Sequence, residues 1–395
     1  MNAPLEGIRV LELGSLVAGP FCGKTLGDFG AEVIKVEPPG DGDPLRRWRR
    51  LRNGVSLWWQ VQSRNKKSVT ADLRKPEGQE IVRRLARSCD IVIENFRPGA
   101  LEKWSLGWEV LQRDNPKLIL VRISGYGQTG PYRKRPGFAA IAEAFAGLRH
   151  ITGFPDRPPV RPNLSIGDTI ASLHGVIGAL LALQHLKNGG TGQVIDVALY
   201  EAVFNCMESL LPEYDAEGYV RERSGSALPG IAPSNIYPCS GGSWVLIAAN
   251  ADSLYQRLMG AIGRNDLRDD PALAKNDGRA AQMQRIDEAI AAWTSQRTQA
   301  EVLVAMERAE VPAGTIYSAA DIARDPHYAA RGMLLDTVAG DGEPLKQPGI
   351  VPKLSATPGA IRSAAPGLGE HTDEILASLG YSAPQISALR TARII

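Results

Sequence analysis

The chain has 395 residues, 44% of them hydrophobic, enough for two or three domains at roughly 100–200 residues each and for a sizeable core. Its 45 Lys and Arg nearly balance 43 Asp and Glu, a net +2 with no long basic block, which argues against a general nucleic-acid binder and leaves room only for a local cationic pocket. The 41 glycines and 27 prolines lack collagen periodicity, so they predict many turns and exclude a fibre.

Residues 8–13 and 33–37 read as buried strands flanking a helix over 20–29. A strand over 68–73 precedes a helix over 76–87, where Pro76 suits the first turn and Ile81, Val82 and Leu85 form the apolar face. Strands over 91–94 and 118–124 follow, and repetition of this unit predicts an α/β fold with a parallel sheet covered by helices. The clearest helix spans 168–186, opening on Asp168 and containing Gly175 and Gly178. Each glycine lowers helix propensity by roughly 1 kcal/mol, which signals close packing. Asn188-Gly189-Gly190 stops it, and a strand over 193–199 and a helix over 201–211 come next. Beyond Tyr219 the pattern changes to a turn-rich stretch, a strand over 244–248, a helix around 253–262, and two helices within 287–314 broken near 295–298. The expected boundaries are a large domain over 1–224, a smaller α/β domain over 225–325, and a tail over 326–395 able to return to the large domain.

Cys22, Cys89, Cys206 and Cys239 are far apart and contain no CxxC pair, so neither a disulfide scaffold nor a zinc ribbon is suggested. The start MNAPLEGIRV has no basic segment before an apolar signal core, and no window gives an unbroken apolar span of about 20 residues. A soluble cytoplasmic protein is expected.

Gly14, Gly19, Gly23, Gly27 and Gly30 punctuate the first strand–helix–strand unit, and Glu37 closes it, but the dinucleotide pattern GxGxxG is missing. Packing is the favoured role for these glycines. The acceptor-rich loop 37–43 suits either a metal or an ordinary turn, and the lack of a twelve-residue calcium pattern favours the turn. Arg46, Arg47, Arg49 and Arg50 surround Trp48, with Trp58 and Trp59 beyond, a patch able to pair with phosphates or simply to face solvent.

Several phrases together resemble the family III CoA-transferases, also called the CaiB/BaiF family: PLEGIRVLELGSLVAGP at 4–20, LGDFGAEVIKVEPPGDGD at 26–43, NKKSVTADL at 65–73, VIENFRPGALEKWSLG at 92–107, ISGYGQTGP at 123–131, IGDTIASLHGVIGALLAL at 166–183, VPAGTIYSAADIARDP at 311–326 and LGEHTDEIL at 368–376. The resemblance covers nearly the whole chain. It implies a Rossmann-like large domain built from both chain ends, a second, smaller α/β domain, and an interlocked homodimer with each active site near the subunit contact.

Exchanging CoA between carboxylates needs an activated acyl state, which a protein carboxylate can form by attacking the thioester carbonyl. Asp168 matches the family's nucleophile; on its own it would read as a helix cap, and a helix start also favours its ionised form. The resemblance places Ser15, Leu16, Val17 and Ala18 on a substrate-facing loop, and assigns oxyanion donors to the 224–230 loop with Gly225 and Gly230. Formyl-CoA transferases carry His and Gln where this chain has Ser15 and Val17, so the acceptor differs from oxalate. Phe138 keeps an aromatic ring while Ala139 drops a carboxylate found in many relatives. Arg46, Lys67, Arg97 and Lys103 are the candidate CoA contacts; Pro38 replaces an arginine that formyl-CoA transferases use near the nucleotide. No metal and no tightly bound cofactor are implied, only coenzyme A and acyl-CoA as substrates.

The pattern is nearer to succinyl-CoA-dependent, dicarboxylate-handling transferases, with malate, glutarate, citramalate or mesaconate among possible acceptors and Arg149 or Arg161 as candidates for a distal carboxylate. Two alternatives stand. The related α-methylacyl-CoA racemases place His where this chain has Phe138, with His150 and His174 the nearby candidates here. A noncatalytic CoA-binding scaffold would keep the fold without turnover.

Overall fold

The computed structural model describes residues 3–395, which group into two compact units. One runs up to residue 148 and adds 162–217 and 327–395; the other combines 149–161 with 218–326. The second unit thus takes 218–326 where 225–325 was expected, together with 149–161, which the expected boundaries placed in the large domain. That segment is attached by long-range bonds, from Gly225 N–H to Gly153 O (2.9 Å) and from Arg223 to His150 O (2.9 Å).

In the first unit, β1 (Arg9–Glu12), β2 (Glu32–Glu37), β3 (Lys66–Thr70), β4 (Ile91–Glu94), β5 (Ile119–Ser124) and β6 (Val194–Ala198) pair in parallel in the order β3-β2-β1-β4-β5-β6. This is the doubly wound arrangement, in which strand order reverses beside β1 and a crevice opens at the carboxyl ends of the strands. One face is covered by the helix Pro76–Arg87, through Ile81, Val82 and Leu85, and by Ile375, Leu376 and Ile386 of the returning tail. The other face takes the helices Ala18–Asp28 and Ile166–Lys187.

Strand β3 starts two residues before the expected 68, because the charged Lys66 is wholly buried against Glu12 (2.7 Å) rather than lying in a loop. The helix expected over 201–211 is two pieces, Leu199–Phe204 and Leu210–Glu217, separated by a turn with Glu208 at φ 50°. The long helix starts at Ile166, with Ser165 in the capping position, so Asp168 sits in its first turn rather than at its cap. By length and composition this helix is apolar enough to cross a membrane. Its small residues face the sheet: a Cβ on Gly178 would stand 2.4 Å from Ile195, and one on Gly175 would touch Val121 and Cys22.

The tail covers the outer edge of β3, where His371 N–H donates to Ser68 O (2.9 Å) and Thr70 N–H to Thr372 Oγ1 (3.1 Å), so the edge is not left open. Deeper in, Arg64 forks Asp28 (3.0 and 2.7 Å) and donates to Pro348 O (3.0 Å), while Asn65 Oδ1 accepts Arg362 N–H (2.6 Å).

The second unit has an antiparallel sheet with Trp244–Ala248 between Ser234–Pro238 and Ala313–Thr315. Helices Asp252–Ala261, Met283–Thr294 and Gln299–Arg308 pack on it around Val245, Ile247, Leu258, Ile290 and Met306. The expected break near 295–298 is a capping box in which Thr298 and Glu301 satisfy each other's backbone.

Because Arg64 and Asp28 are both almost fully buried, Arg64→Met leaves the Asp28 carboxylate with only Asn65 (2.9 Å) and the more distant Lys24 (4.0 Å), and is expected to cost about 3 kcal/mol in denaturant unfolding. A loss below about 1 kcal/mol would show that the pair does not hold the tail.

Candidate active site

The carboxyl ends of β1, β2, β3 and β4 open into a cleft of about 400 Å³ at the point where strand order reverses. Its walls include Gly14 and Ser15 after β1, Pro38 and Pro39 after β2, Arg74 after β3, and Phe96 and Trp104 after β4. Phe96 and Trp104 meet edge to face with centroids 5.0 Å apart. Glu37, Asp41, Asp43 and Asp72 also line the cleft, and the aromatic wall of Phe96 and Trp104 is the part suited to a flat ring of a nucleotide-bearing ligand.

Beneath the cleft lies a set of buried charges. Glu12 contacts Lys35 (3.1 Å) and Lys66 (2.7 Å), and Lys35 reaches Asp43 (2.9 Å). Burial works against the Lys35 ammonium, but the Asp43, Glu12 and Glu37 carboxylates outweigh it and hold its pKa above the usual lysine value. Lys66 moves the other way, pulled down by burial that Glu12 offsets only in part. Asp43 stays below the usual carboxylate range: burial opposes ionisation, and Lys35 with the N–H groups of Leu45 and Leu16 overcomes it. Gly23 is required here, since a Cβ would stand 2.0 Å from the Glu12 carboxylate.

These charges shape the 14–18 loop. Lys35 Nζ donates to Gly14 O (2.8 Å), and both Asp43 oxygens accept Leu16 N–H (3.1 Å each). Asn95 accepts Ser15 N–H (2.8 Å) and donates to Ser15 O (2.9 Å), while Gln62 Nε2 donates to Val17 O (3.0 Å). Leu16 is held at φ 65°, a left-handed conformation that a branched side chain rarely adopts without enforcement. Packing is therefore the role of the N-terminal glycines, and the 37–43 loop is an ordinary turn whose carboxylates are occupied by Lys35 and Arg46.

Asp168 is half-buried in the first turn of the 22-residue helix. Ser172, one turn on, lies 2.6 Å from both Asp168 O and Ala18 O, linking the helix start to the 14–18 loop. Glu143, fully buried on the helix Ala139–Phe145, accepts Gly167 N–H (3.2 Å). Ala139 and Glu143 stand one turn apart on this helix, both buried. Phe138 caps that helix and is 70% exposed.

The expected CoA contacts do not form one cluster. Arg46 forks Glu37 (2.8 and 2.8 Å) and stacks on the buried Trp59 at 3.7 Å, so its guanidinium is already engaged; Glu37 is held ionised, Arg46 and Lys35 prevailing over burial. Lys67 lies at the beginning of β3, the opposite end of the sheet from the cleft, paired with Glu32 (3.2 Å) and Glu374 (2.9 Å). Arg97 and Lys103 are exposed neighbours of Phe96 and Trp104 at the cleft rim. Arg122 fixes the Lys103 turn by bonding Glu94 (2.7 Å) and Glu102 (2.8 Å).

Gly225 and Gly230 belong to the second unit, at φ 69° and 77°. A Cβ on Gly225 would stand 2.8 Å from the Phe154 ring, so that glycine has a packing role there.

Sequence reasoning missed Lys35, Asp43, Asn95, Gln62 and Glu143. Only Lys35 lies inside a strand, where a charged residue reads as a strand end; Gln62 and Glu143 are on helices and Asp43 and Asn95 in loops, and their partners are distant in sequence. Asp43 and Glu37 bind fewer protons folded than unfolded, so their stabilisation is present above about pH 4 and is lost as pH falls through that range. Melting temperature followed from pH 6 to about pH 3 should fall steeply in the native protein and less steeply in Asp43→Asn, which should also melt lower at pH 7. Parallel profiles would remove Asp43 from this role.

A sequence profile of CoA-transferase family III matches residues 5–372. Among named relatives, a succinyl-CoA–D-citramalate CoA-transferase of Chloroflexus aurantiacus is 51% identical, covering 99% of this chain and 98% of the relative. A succinyl-CoA–L-malate CoA-transferase beta subunit from the same organism is 46% identical over 99% and 98%. A formyl-CoA:oxalate CoA-transferase of Afipia carboxidovorans is more distant, at 33% identity over 99% and 97%. The crystal structure of a CaiB/BaiF family protein from Brucella suis superposes with a TM-score of 0.84 at 36% identity, over 96% of this chain and 100% of that one. The matched profile, the full-length relatives and the shared fold agree, and the chain belongs to CoA-transferase family III.

Proposed function

We propose that this CoA-transferase takes CoA from succinyl-CoA and gives it to a small dicarboxylic acid through covalent intermediates on Asp168. The observation that carries the reading is the position of Asp168 in the first turn of a long helix, tied through Ser172 to the 14–18 loop. A helix start stabilises a carboxylate anion by roughly 0.3–1 kcal/mol, a contribution in the direction a carboxylate nucleophile needs. The names of the relatives support the donor and the acceptor class.

The sequence of steps is balanced. An Asp168 oxygen attacks the thioester carbonyl, the C–S bond breaks, and CoA thiolate leaves an acyl-aspartyl anhydride. The thiolate attacks the Asp168 carbonyl, releasing succinate and forming an aspartyl thioester. The acceptor carboxylate then displaces CoA thiolate to give a second anhydride, and the thiolate takes the acceptor's acyl group, freeing Asp168. The cleft at the carboxyl ends of β1–β4 suits the nucleotide portion of CoA, with the exposed Arg97 and Lys103, next in sequence to the lining residues Phe96 and Trp104, as its cationic partners.

The working unit is a homodimer. Leu173, Ile177, Leu180 and Leu181 form an exposed apolar stripe on the helix that carries Asp168, opposite its sheet-facing small residues. A stripe of this kind needs a cover, and a second copy supplies it. The free thiols Cys22, Cys89 and Cys239, buried and unpaired, fit a cytoplasmic setting.

Asp168→Ala should abolish CoA transfer from succinyl-CoA to malate, citramalate or glutarate while leaving the fold intact. Rapid quench and mass spectrometry of the native protein should find an acyl or CoA adduct on the peptide containing Asp168. Ordinary turnover in the variant would sink the covalent role, and α-hydrogen exchange without transfer would favour racemase chemistry. Light scattering should return about twice the chain mass for the native protein and about one chain mass for Ile177→Asp; a native monomer would overturn the dimer.

A further inference from the structure

A second cavity, of about 500 Å³, lies within the first unit and takes no part in the steps above. Its volume is within the roughly 300–1,000 Å³ usual for small-molecule sites. It borders the substrate loop at Val17 and the nucleophile's helix at Ser165 and Thr169, the residues flanking Asp168 by three and by one. Three cations line it, Lys24, Arg49 and Arg50, and none of the described lining residues is acidic. Leu57, Trp58 and Leu164 supply apolar wall, and Gln62, Ser165 and Thr169 are its uncharged polar members. An apolar cavity with cations and no counter-charge in its lining is matched to a short carbon chain ending in an anion.

Arg49 and Arg50 are exposed, but the backbone that carries them is held in place. Ser56 Oγ donates to Trp48 O (2.7 Å), and Leu57 N–H donates to Arg50 O (3.0 Å). Between them Asn53 and Gly54, both at positive φ, close a tight hairpin. The Arg49 guanidinium lies 4.5 Å from the centre of the Trp58 ring, which leaves its N–H edge available to an anion. Lys24 sits over Phe21 at 4.3 Å, and its nearest carboxylate, Asp28, is 4.0 Å away.

We infer that this cavity is the subsite for the distal carboxylate of a dicarboxylate, with Arg49 and Arg50 as its principal partners and Lys24 as a supporting charge. The inference rests on the transferase reading, because it is the reacting carboxyl at the other end of the diacid that turns toward Asp168. It moves distal-carboxylate recognition away from Arg149 and Arg161, which belong to the second unit.

The test uses the full-length protein with succinate and butyrate, which match in carbon number and differ in the second carboxylate. Incorporation of ¹³C-labelled acid into the CoA thioester pool from succinyl-CoA should favour succinate by roughly 10- to 100-fold, the range of a charge-assisted pair, and calorimetric binding should show the same preference. In Arg49→Gln/Arg50→Gln both preferences should collapse toward unity. A native protein without preference, an unchanged ratio in the double variant, or collapse in Arg149→Gln or Arg161→Gln instead would overturn the subsite. Selective succinate binding that the double variant loses, with no label incorporated by the native protein, would uphold the subsite and sink the transferase reading.

Discussion

Glu12, Lys35 and Lys66 on the strands and Asp43 on the loop after β2 are all buried, where an unpaired charge would carry a desolvation penalty of several kcal/mol. Two acids and two bases cancel there, and Lys35, Asp43 and Lys66 each make contacts beyond their charged partners. Those further contacts are backbone atoms of the segment after β1: Lys35 takes Gly14 O, Asp43 takes Leu16 N–H, and Lys66 takes Pro20 O. The cost of burying charge is thereby converted into a fixed loop geometry, including a left-handed leucine that would otherwise relax.

Everything proposed for the chemistry is referred to that loop. Its Ala18 carbonyl shares Ser172 with the start of the Asp168 helix, its Val17 carbonyl is anchored by Gln62, and its Ser15 peptide is bracketed by Asn95. One side of it faces the nucleotide-sized cleft and the other the cationic cavity. A rigid loop between two cavities, next to a carboxylate at a helix start, suits a reaction in which a thiol and two acids must visit the same atom in turn.

Much of the first unit was legible in the sequence because its strands are short apolar runs between amphipathic helices. The strands 91–94 and 118–124 and the helix from Pro76 emerge within a residue of their observed limits. What failed to show were positions where tertiary pairing overrides local character. Lys66 looked like a loop residue because a lysine in a strand core is costly unless Glu12 stands opposite it. Residues 149–161 gave no hint of joining the second unit, since only bonds to residues beyond 220 place them there. Arg46 and Lys67 were grouped by charge alone, and their carboxylate partners lie at opposite ends of the sheet. The motif carrying Asp168 was readable as a family phrase, whereas the Ser172 link depends on two segments meeting in space.

The stitching of Arg64 and Asn65 to residues near 348 and 362 bears on how the polypeptide acquires its shape during translation. These partners are 284 and 297 residues apart, so the ribosome delivers the first sheet strands long before the segment that seals their border. Throughout that interval β3 has no cover on one side, and the inserted second unit is the part able to close locally first. Contacts of such high sequence separation slow folding and prolong exposure of an unpaired strand, a vulnerability that chaperones exist to shield.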